Sequence, residues 1–306
     1  MPPVLAAVPA DALETIRAAA PADVDVRAVP PAGDGDLAVA LTDVEFLVAH
    51  HERADVVAAL GELEALRVVQ VLLSGTDWIV PAIPPGVTLC DARGTRNEPV
   101  AEWIAGALLG YTSGLLRSAR RQHERVWEHF RRDELRGKVV LVAGYGSIGR
   151  ELARCLEPFG VEVVGVARRA RDGVHAESEL PQLLPRADAV VLLVPLSDAT
   201  AGMVDAAFLA RMRDGALLVN AGRGALVDTP ALVAEVEAGR LHAVLDVTDP
   251  QPLPPDHPLW ALDGVYLTPH VGGDSAQAER RAWRHAGEQL ARAARGEPLR
   301  NVVLGG

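Results

Sequence analysis

Val139-Val140-Leu141-Val142-Ala143 runs directly into Gly144-Tyr145-Gly146-Ser147-Ile148-Gly149, a junction that points to one architecture. Five consecutive apolar residues read as a strand buried on both faces. The glycines that follow, spaced G-x-G-x-x-G, open a helix expected over Ser147–Glu157. Gly144 permits a tight turn, Gly146 lets backbone approach a pyrophosphate, and Gly149 lets helix and strand pack closely. Beyond Ser147 and Ile148, the free N–H groups of the helix N-terminus and its partial positive charge face the phosphates. A glycine turn that binds nothing is the bland alternative, and the strand before and helix after weigh against it.

The next strand decides which dinucleotide. An NAD site wants an acid roughly 20 residues on, to bind the ribose 2′-hydroxyl. The run Val163-Val164-Gly165-Val166-Ala167-Arg168-Arg169 puts Ala167 in that place, with Arg168, Arg169 and then Arg171 beyond it. Guanidinium groups offer bidentate, charge-assisted bonds to a 2′-phosphate. NADP is therefore the expected cofactor, with NAD the alternative if these are idle loop arginines.

Around this unit the apolar runs repeat. Val139–Ala143, Val161–Ala167, Ala189–Val194, Ala216–Val219, His242–Asp246 and Val265–Thr268 give six strands, with helices expected at Asp205–Met212 and Thr229–Ala238. Six strands with crossovers make a complete dinucleotide-binding sheet. Upstream, Val4–Val8, Val24–Ala28, Phe46–Ala49, Val68–Leu73 and Val87–Cys90 read as strands, with helices at Leu13–Ala19 and Ala54–Leu63. The fold class is thus α/β, with two flavodoxin- or Rossmann-like domains built on parallel sheets. Residues 1–98 form the expected substrate-binding domain, completed by residues 274–306 with the last helix, Ala276–Ala294, packed back on it. Residues 99–273 form the dinucleotide-binding domain. A long helix starts near Pro99 and continues with breaks to Arg136. Its basic run interleaves Arg120, Arg121, Arg125, Arg131 and Arg132 with Glu124, Glu128, Asp133 and Glu134, which reads as a solvated or subunit-facing helix.

Composition bounds the function. The chain has 306 residues, 49% hydrophobic and 23% charged, as a globular protein does. A formal net charge of −11 argues against nucleic acid and anionic membranes as partners. Cys90 and Cys155 are the only cysteines and form no C-x-x-C pair, so neither a disulfide framework nor a zinc site is expected. The histidines His50, His51, His123, His129, His175, His242, His257 and His285 show no metal spacing and read as surface or loop residues. Pro2, Pro3 and Pro9 precede the first basic residue, Arg17, unlike a secretory leader. No apolar stretch nears the ~18–20 residues of a membrane span. A soluble, cytoplasmic protein is the expectation.

Further segments complete the pattern in chain order: Val194-Pro195-Leu196, Asn220-Ala221-Gly222-Arg223-Gly224, Leu245-Asp246-Val247 and Thr268-Pro269-His270. With Gly144–Gly149, this set resembles the D-isomer-specific 2-hydroxyacid dehydrogenase family over essentially the whole chain. The resemblance implies an active site in the cleft between the domains and a homodimer formed through the cofactor domain. It also implies that Pro195 borders the cofactor and that Asp246 holds the nicotinamide carboxamide. A plain strand-end cap is the other reading of Asp246. Hydride delivery to a 2-keto carbon leaves an alkoxide, which needs a cation and an acid. Arg223 on its glycine-flanked turn supplies the fixed charge. His270 is the proton donor in reduction and the base in oxidation. The family places a glutamate before a proline as partner of this histidine. Here Gln251 stands in that slot, able to orient the ring but supplying no charge, as in the related formate dehydrogenases. Asp249 is the alternative partner.

The substrate end is expected in Ser74-Gly75-Thr76, which resembles the family segment whose amides hold the substrate carboxylate, and in Arg96 and Asn97 by position. Arg96 binds a second anionic group or pairs with Glu98. Trp103 reads as helix packing rather than substrate stacking. The resulting expectation is an NADPH-preferring reductase of small 2-keto acids such as glyoxylate, hydroxypyruvate or a substituted pyruvate. The chain stops soon after its last helix, so no appended regulatory domain is expected. Alternatives are an NAD-dependent phosphoglycerate-type or formate-type dehydrogenase, and a dinucleotide-sensing interaction protein without turnover.

Overall fold

A computed structural model describes residues 4–306; Met1–Pro3, with two of the prolines weighed against a leader, lie outside the described residues. The first elements are β1 (Leu5–Val8), α1 (Leu13–Ala19), β2 (Asp25–Ala28), α2 (Leu37–Ala40), β3 (Phe46–Ala49), α3 (Ala54–Ala59), β4 (Val68–Val71) and β5 (Thr88–Cys90). Next come α4 (Asn97–Thr112), α5 (Leu115–His123), β6 (Val139–Ala143), α6 (Ser147–Leu156), β7 (Glu162–Ala167), β8 (Val174–Ala176), α7 (Leu180–Leu183) and β9 (Ala189–Leu192). The chain closes with α8 (Ala206–Arg211), β10 (Leu217–Asn220), α9 (Thr229–Glu237), β11 (His242–Leu245), β12 (Val265–Leu267), α10 (Ala276–Ala294) and β13 (Val302–Leu304). It divides into two compact units, Met1–Arg96 with Ser275–Gly306, and Asn97–Asp274.

The first unit holds a sheet ordered β13-β5-β4-β3-β1-β2. All its pairings are parallel except that of β13 with β5. Alternate residues of each strand feed two cores, as the period of a strand requires. Leu5, Ala7, Leu47, Val69 and Leu89 belong to one core. Ala6, Val8, Phe46, Val48 and Val68 belong to the other, which Ala282, Ala286 and Leu290 of α10 complete. α10 begins at Ser275, whose side chain caps the Ala278 N–H. Gly287 lets it lie close on α1, because a Cβ there would sit 2.6 Å from the Ala19 Cβ. The buried side chain of Gln289 donates to Arg300 O and accepts from the Arg300 N–H, which fixes the approach to β13.

The second unit holds a seven-stranded, wholly parallel sheet ordered β12-β11-β10-β9-β6-β7-β8. Both of its faces are covered. Leu141 and Ala143 of β6 enter one core with Val190, Leu192 and Leu218. Val140 and Val142 enter the other, with Ile104 and Leu108 of α4 and Leu152 and Leu156 of α6. From β6 the chain moves outward to β7 and β8, then crosses back to β9 on the other side. The β6 turn therefore sits at a topological switch point, where open parallel sheets bind ligands.

The structure differs from the sequence expectation in the first sheet, where β13 is an added sixth strand antiparallel to β5, and in three places beyond it. β8 is a seventh strand in the second sheet, where six were expected, and its three residues are too few to show a period. The helix expected towards Arg136 stops at His123, and residues 124–134 are neither helix nor strand. That segment has no apolar stripe to bury: Trp127 is fully exposed, and Arg125 has φ 58°. Glu128 instead pairs back onto Arg117 and Arg121 of α5. Two histidines are neither surface nor loop residues. His242 on β11 and His285 on α10 are half-buried, and burial pushes both imidazoles below their ordinary range. No helix among the described residues is long and apolar enough to cross a membrane. No group of three or more metal-ligating side chains stands together among them.

Candidate active site

Register places the second unit's functional residues in one row. Ala143 pairs with Leu192, Leu192 with Asn220, Asn220 with Leu245, and Leu245 with Leu267. The residues just past those strand ends are Gly144, Leu193, Ala221, Asp246 and Thr268, so the separate motifs meet along one edge of the sheet.

The glycine turn opens that row. Gly144 has φ 99°, and a Cβ on it would lie 2.5 Å from the Leu193 carbonyl carbon, so only glycine fits. A Cβ on Gly149 would lie 3.0 Å from the Tyr145 ring and 3.3 Å from Val142 Cγ1 of β6, the tight helix–strand contact expected there. At Gly146 a Cβ would meet protein no nearer than 4.0 Å, so the space over it is open for a ligand. Tyr145 is occupied internally. Its N–H bonds Val166 O at 2.8 Å, and its ring lies over Gly165. Gly144 and Gly146 N–H groups are also spent, on Val166 O and Gly144 O. The first helical bond is Arg150 N–H to Gly146 O, and Gly146 caps no donor, which leaves the Ser147, Ile148 and Gly149 amides for an anion. The Ser147 hydroxyl donates to Asn97 Oδ1 at 3.1 Å. Asn97, expected at the substrate, thus accepts a bond from the glycine turn through its side-chain oxygen.

Beyond β7, Ala167 stands where an acid would be, and Arg168 and Arg169 are exposed. The Arg171 guanidinium donates to Tyr145 O, and its backbone pairs with Val174. Across the turn, Pro195 is exposed and its carbonyl accepts from the Thr200 hydroxyl at 2.7 Å. These residues fit a dinucleotide: an open glycine cradle and free helix amides.

Asn220 ends β10 and is 1% exposed. Its side chain accepts from the Gly222 N–H at 3.0 Å and donates to Arg223 O at 2.9 Å, folding Ala221–Arg223 into a fixed turn. The half-buried Arg223 donates from Nη1 to Gly222 O at 2.9 Å. Gly224 then meets the next loop, where a Cβ would lie 2.0 Å from Thr248 O.

His270 lies on the neighbouring turn at φ 58°, a left-handed conformation that costs a residue with a Cβ about 1–2 kcal/mol. Its N–H bonds Asp246 O at 2.8 Å. The Asp246 carboxylate, 4% exposed, accepts from the Thr268 hydroxyl at 2.6 Å, Val271 N–H at 2.9 Å and Gly272 N–H at 2.8 Å. Three of its bonds therefore run to the histidine turn. Trp103 of α4 packs on Gly272, as expected of a packing residue.

The histidine's partner is Gln251, whose Nε2 lies 2.9 Å from His270 Nδ1, both side chains being exposed. No bond from Asp249 to His270 is found among the described residues; the Asp249 carbonyl accepts from the Thr229 hydroxyl. An amide presents a donor on one side and an acceptor on the other. Gln251 can donate to Nδ1 when it is bare, and after a half-turn accept from it when it carries a proton.

In the first unit, Ser74, Gly75 and Thr76 follow β4, and the Trp78 indole donates to Gly75 O at 3.0 Å. Ser74 is exposed, and Arg96 is half-buried at that unit's end. Asn220 and Thr268, which bond these two turns, are not among the site residues read from the sequence. The available signal was a polar residue closing an otherwise apolar strand.

Residues 105–272, more than half of the chain, match the family model described as D-isomer specific 2-hydroxyacid dehydrogenase, NAD binding domain. A hydroxypyruvate reductase of Thermotoga maritima is 31% identical over 74% of this chain and 76% of its own length. A D-3-phosphoglycerate dehydrogenase of Mycobacterium tuberculosis is 32% identical over 96% of this chain but 58% of its own length. The chain thus spans little more than half of that relative. Among solved structures, an NADPH-dependent glyoxylate/hydroxypyruvate reductase of Sinorhizobium meliloti, in complex with NADP and sulfate, superposes with a TM-score of 0.82. It is 26% identical, with 98% of both chains covered.

Proposed function

The chain belongs to the D-isomer-specific 2-hydroxyacid dehydrogenase family, and on that premise we propose that it reduces a small 2-keto acid to the D-2-hydroxy acid with NADPH. The observation that carries this reading is the single row of strand ends that gathers the glycine turn, Arg223 and His270. Arg168 and Arg169, with no acid at Ala167, support NADPH over NADH.

The Ser147, Ile148 and Gly149 amides would hold the pyrophosphate, and Arg168 and Arg169 the 2′-phosphate. Bound there, a nicotinamide dinucleotide would supply the hydride that the substrate's C2 receives. Arg223 holds the carbonyl oxygen and stabilises the charge it gains. His270 gives that oxygen a proton from Nε2. Nδ1 must keep its own proton throughout, because an imidazole that lost both would be an anion. The productive arrangement therefore has Gln251 Oε1 accepting from Nδ1–H, which fixes the ring without adding charge. In oxidation the same Nε2 takes the proton. Ser74, Gly75 and Thr76 are assigned to the substrate carboxylate, and Arg96 to a second anionic group. Asn97, whose oxygen accepts from Ser147, is assigned to the border between substrate and glycine turn.

The proposal includes a homodimer in the cytoplasm. Support for the dimer is the fully exposed Trp127 and, on the same unit, a largely apolar hollow of about 530 Å³ between Trp103, Leu116, Leu259 and Trp260. Sedimentation velocity reads the mass directly.

The decisive assay measures NADPH and NADH oxidation side by side against glyoxylate, hydroxypyruvate, pyruvate and 3-phosphohydroxypyruvate. Turnover that prefers NADPH and is lost in Arg223→Gln and His270→Asn variants supports the reading. A preference for NADH with the phosphorylated acid would move it to the phosphoglycerate type. NADPH binding without any turnover would replace it with a sensing role.

A further inference from the structure

Among the described residues of the second unit, the buried polar side chains are Asn220 and Asp246. They stand at adjacent strand ends, joined by the Asp246 N–H to Asn220 O bond at 3.0 Å. Burying a polar group is costly unless its bonds are made, so what each one bonds shows what it is kept for. Asn220 spends both ends of its amide on the Arg223 turn. Asp246 spends its carboxylate on three donors of the His270 turn, Thr268 Oγ1, Val271 N and Gly272 N.

We propose that Asn220 and Asp246, with Thr268, are a linked pair of positioning residues that set Arg223 and His270 relative to one another. Asp246 holds His270 in its left-handed conformation by gripping the residues on both sides of it. The carboxylate suits this work because all three neighbours are donors. In Asp246→Asn the amide NH₂ must face either the Gly272 N–H or the pair formed by Thr268 and Val271, so at least one grip is lost. The frame is independent of charge on the ring, since the Asp246 carboxylate bonds the turn and not the imidazole. The inference rests on the proposed roles of Arg223 and His270, and it differs from a carboxamide contact in what its loss would change.

The test uses Thr268→Val, Thr268→Ser, Asp246→Asn and Asn220→Ala in the full chain. Each is assayed for kcat, for the NADPH dissociation constant, and for backbone amide exchange across residues 268–273. A displacement of the reacting groups by about 1 Å costs on the order of 100-fold in rate. Thr268→Val and Asp246→Asn should lower kcat by roughly 10- to 100-fold on this scale, with NADPH affinity kept and the pH limb of the reaction unmoved. Exchange at Val271 and Gly272 should accelerate, and Thr268→Ser, which restores the hydroxyl, should recover most of the rate and protection. A loss of NADPH affinity in step with kcat in Asp246→Asn would overturn the inference in favour of cofactor contact. Unchanged kcat and unchanged exchange in Thr268→Val would overturn it as well. If the wild-type protein turns over none of the acids, the proposed function falls, while the exchange data still decide whether the frame holds the turn.

Discussion

Replacing Gln251 with glutamate adds one negative charge 2.9 Å from His270 Nδ1 and changes little else in shape. Both side chains are exposed, so the screened, water-like limit is the appropriate scale. Coulomb's law at that separation and a dielectric constant of about 80 gives about 1.4 kcal/mol, or about one pH unit. The sign follows from the chemistry. Reduction needs the imidazolium, so its rate falls as pH rises and the ring loses its proton. A carboxylate holds that proton longer, so the falling limb moves up by about one unit in Gln251→Glu. Oxidation needs the neutral ring, so its rising limb moves up by the same amount and oxidation at neutral pH slows. A carboxylate also cannot donate to Nδ1, which removes the idle amide orientation. The assay is kcat/KM for both directions between about pH 5.5 and 9, a span that covers the imidazole range, at low ionic strength. Superimposable reductive profiles for the two proteins would refute the pairing of Gln251 with the proton-carrying ring.

Three other outcomes are expected. Arg168→Asp with Arg169→Asp should raise the KM for NADPH by roughly 10-fold or more per charge-assisted bond lost, at about 1.5–3 kcal/mol each, and leave that for NADH little changed; steady-state kinetics with both cofactors checks this. Gly224→Ala places a methyl 2.0 Å from Thr248 O, backbone against backbone, so both loops must move. Urea denaturation should show a loss of about 1–3 kcal/mol, the usual cost of overpacking. His242 is pushed down by burial, so its share of stability is present above the ordinary histidine range of about 6.5 and is lost as pH falls below it. The decline in Tm from about pH 7 to 5.5 should be shallower in His242→Asn than in the wild type, as read by scanning calorimetry.

Much of the frame was legible because its signals are local. β6, its glycines and α6 lie within eighteen consecutive residues, 139–156, and declare a period, a turn and a helix start together. The left-handed Gly144 and the close approach at Gly149 follow from that spacing alone. What could not be read depends on contacts across the chain. The Asp246 bonds reach residues 22 to 26 positions away, and the Ser147–Asn97 bond spans 50. Nothing in the local pattern of Asp246 separates a strand-end cap from a ligand contact. β8 and β13 have three residues each, shorter than a period-two pattern needs to show itself. The stop at His123 was hidden for another reason. Alternating charges fit an exposed helix well, but they also fit a segment folded back to pair with the helix before it.

The first unit is discontinuous in the chain: its sheet begins with β1, and one of its two cores is closed by α10, after the whole second unit has been made. At about 5–20 residues per second, synthesis of residues 97–274 takes roughly 10–40 s. During that time Ala6, Val8, Phe46, Val48 and Val68 present an apolar face that Ile16 of α1 covers only in part. The second unit can reach its native form first, although it is the later half of the sequence. A chain arrested before Ser275 would carry a finished nucleotide fold beside an unfinished one, and it is at this stage of biosynthesis that chaperone binding is expected to matter most.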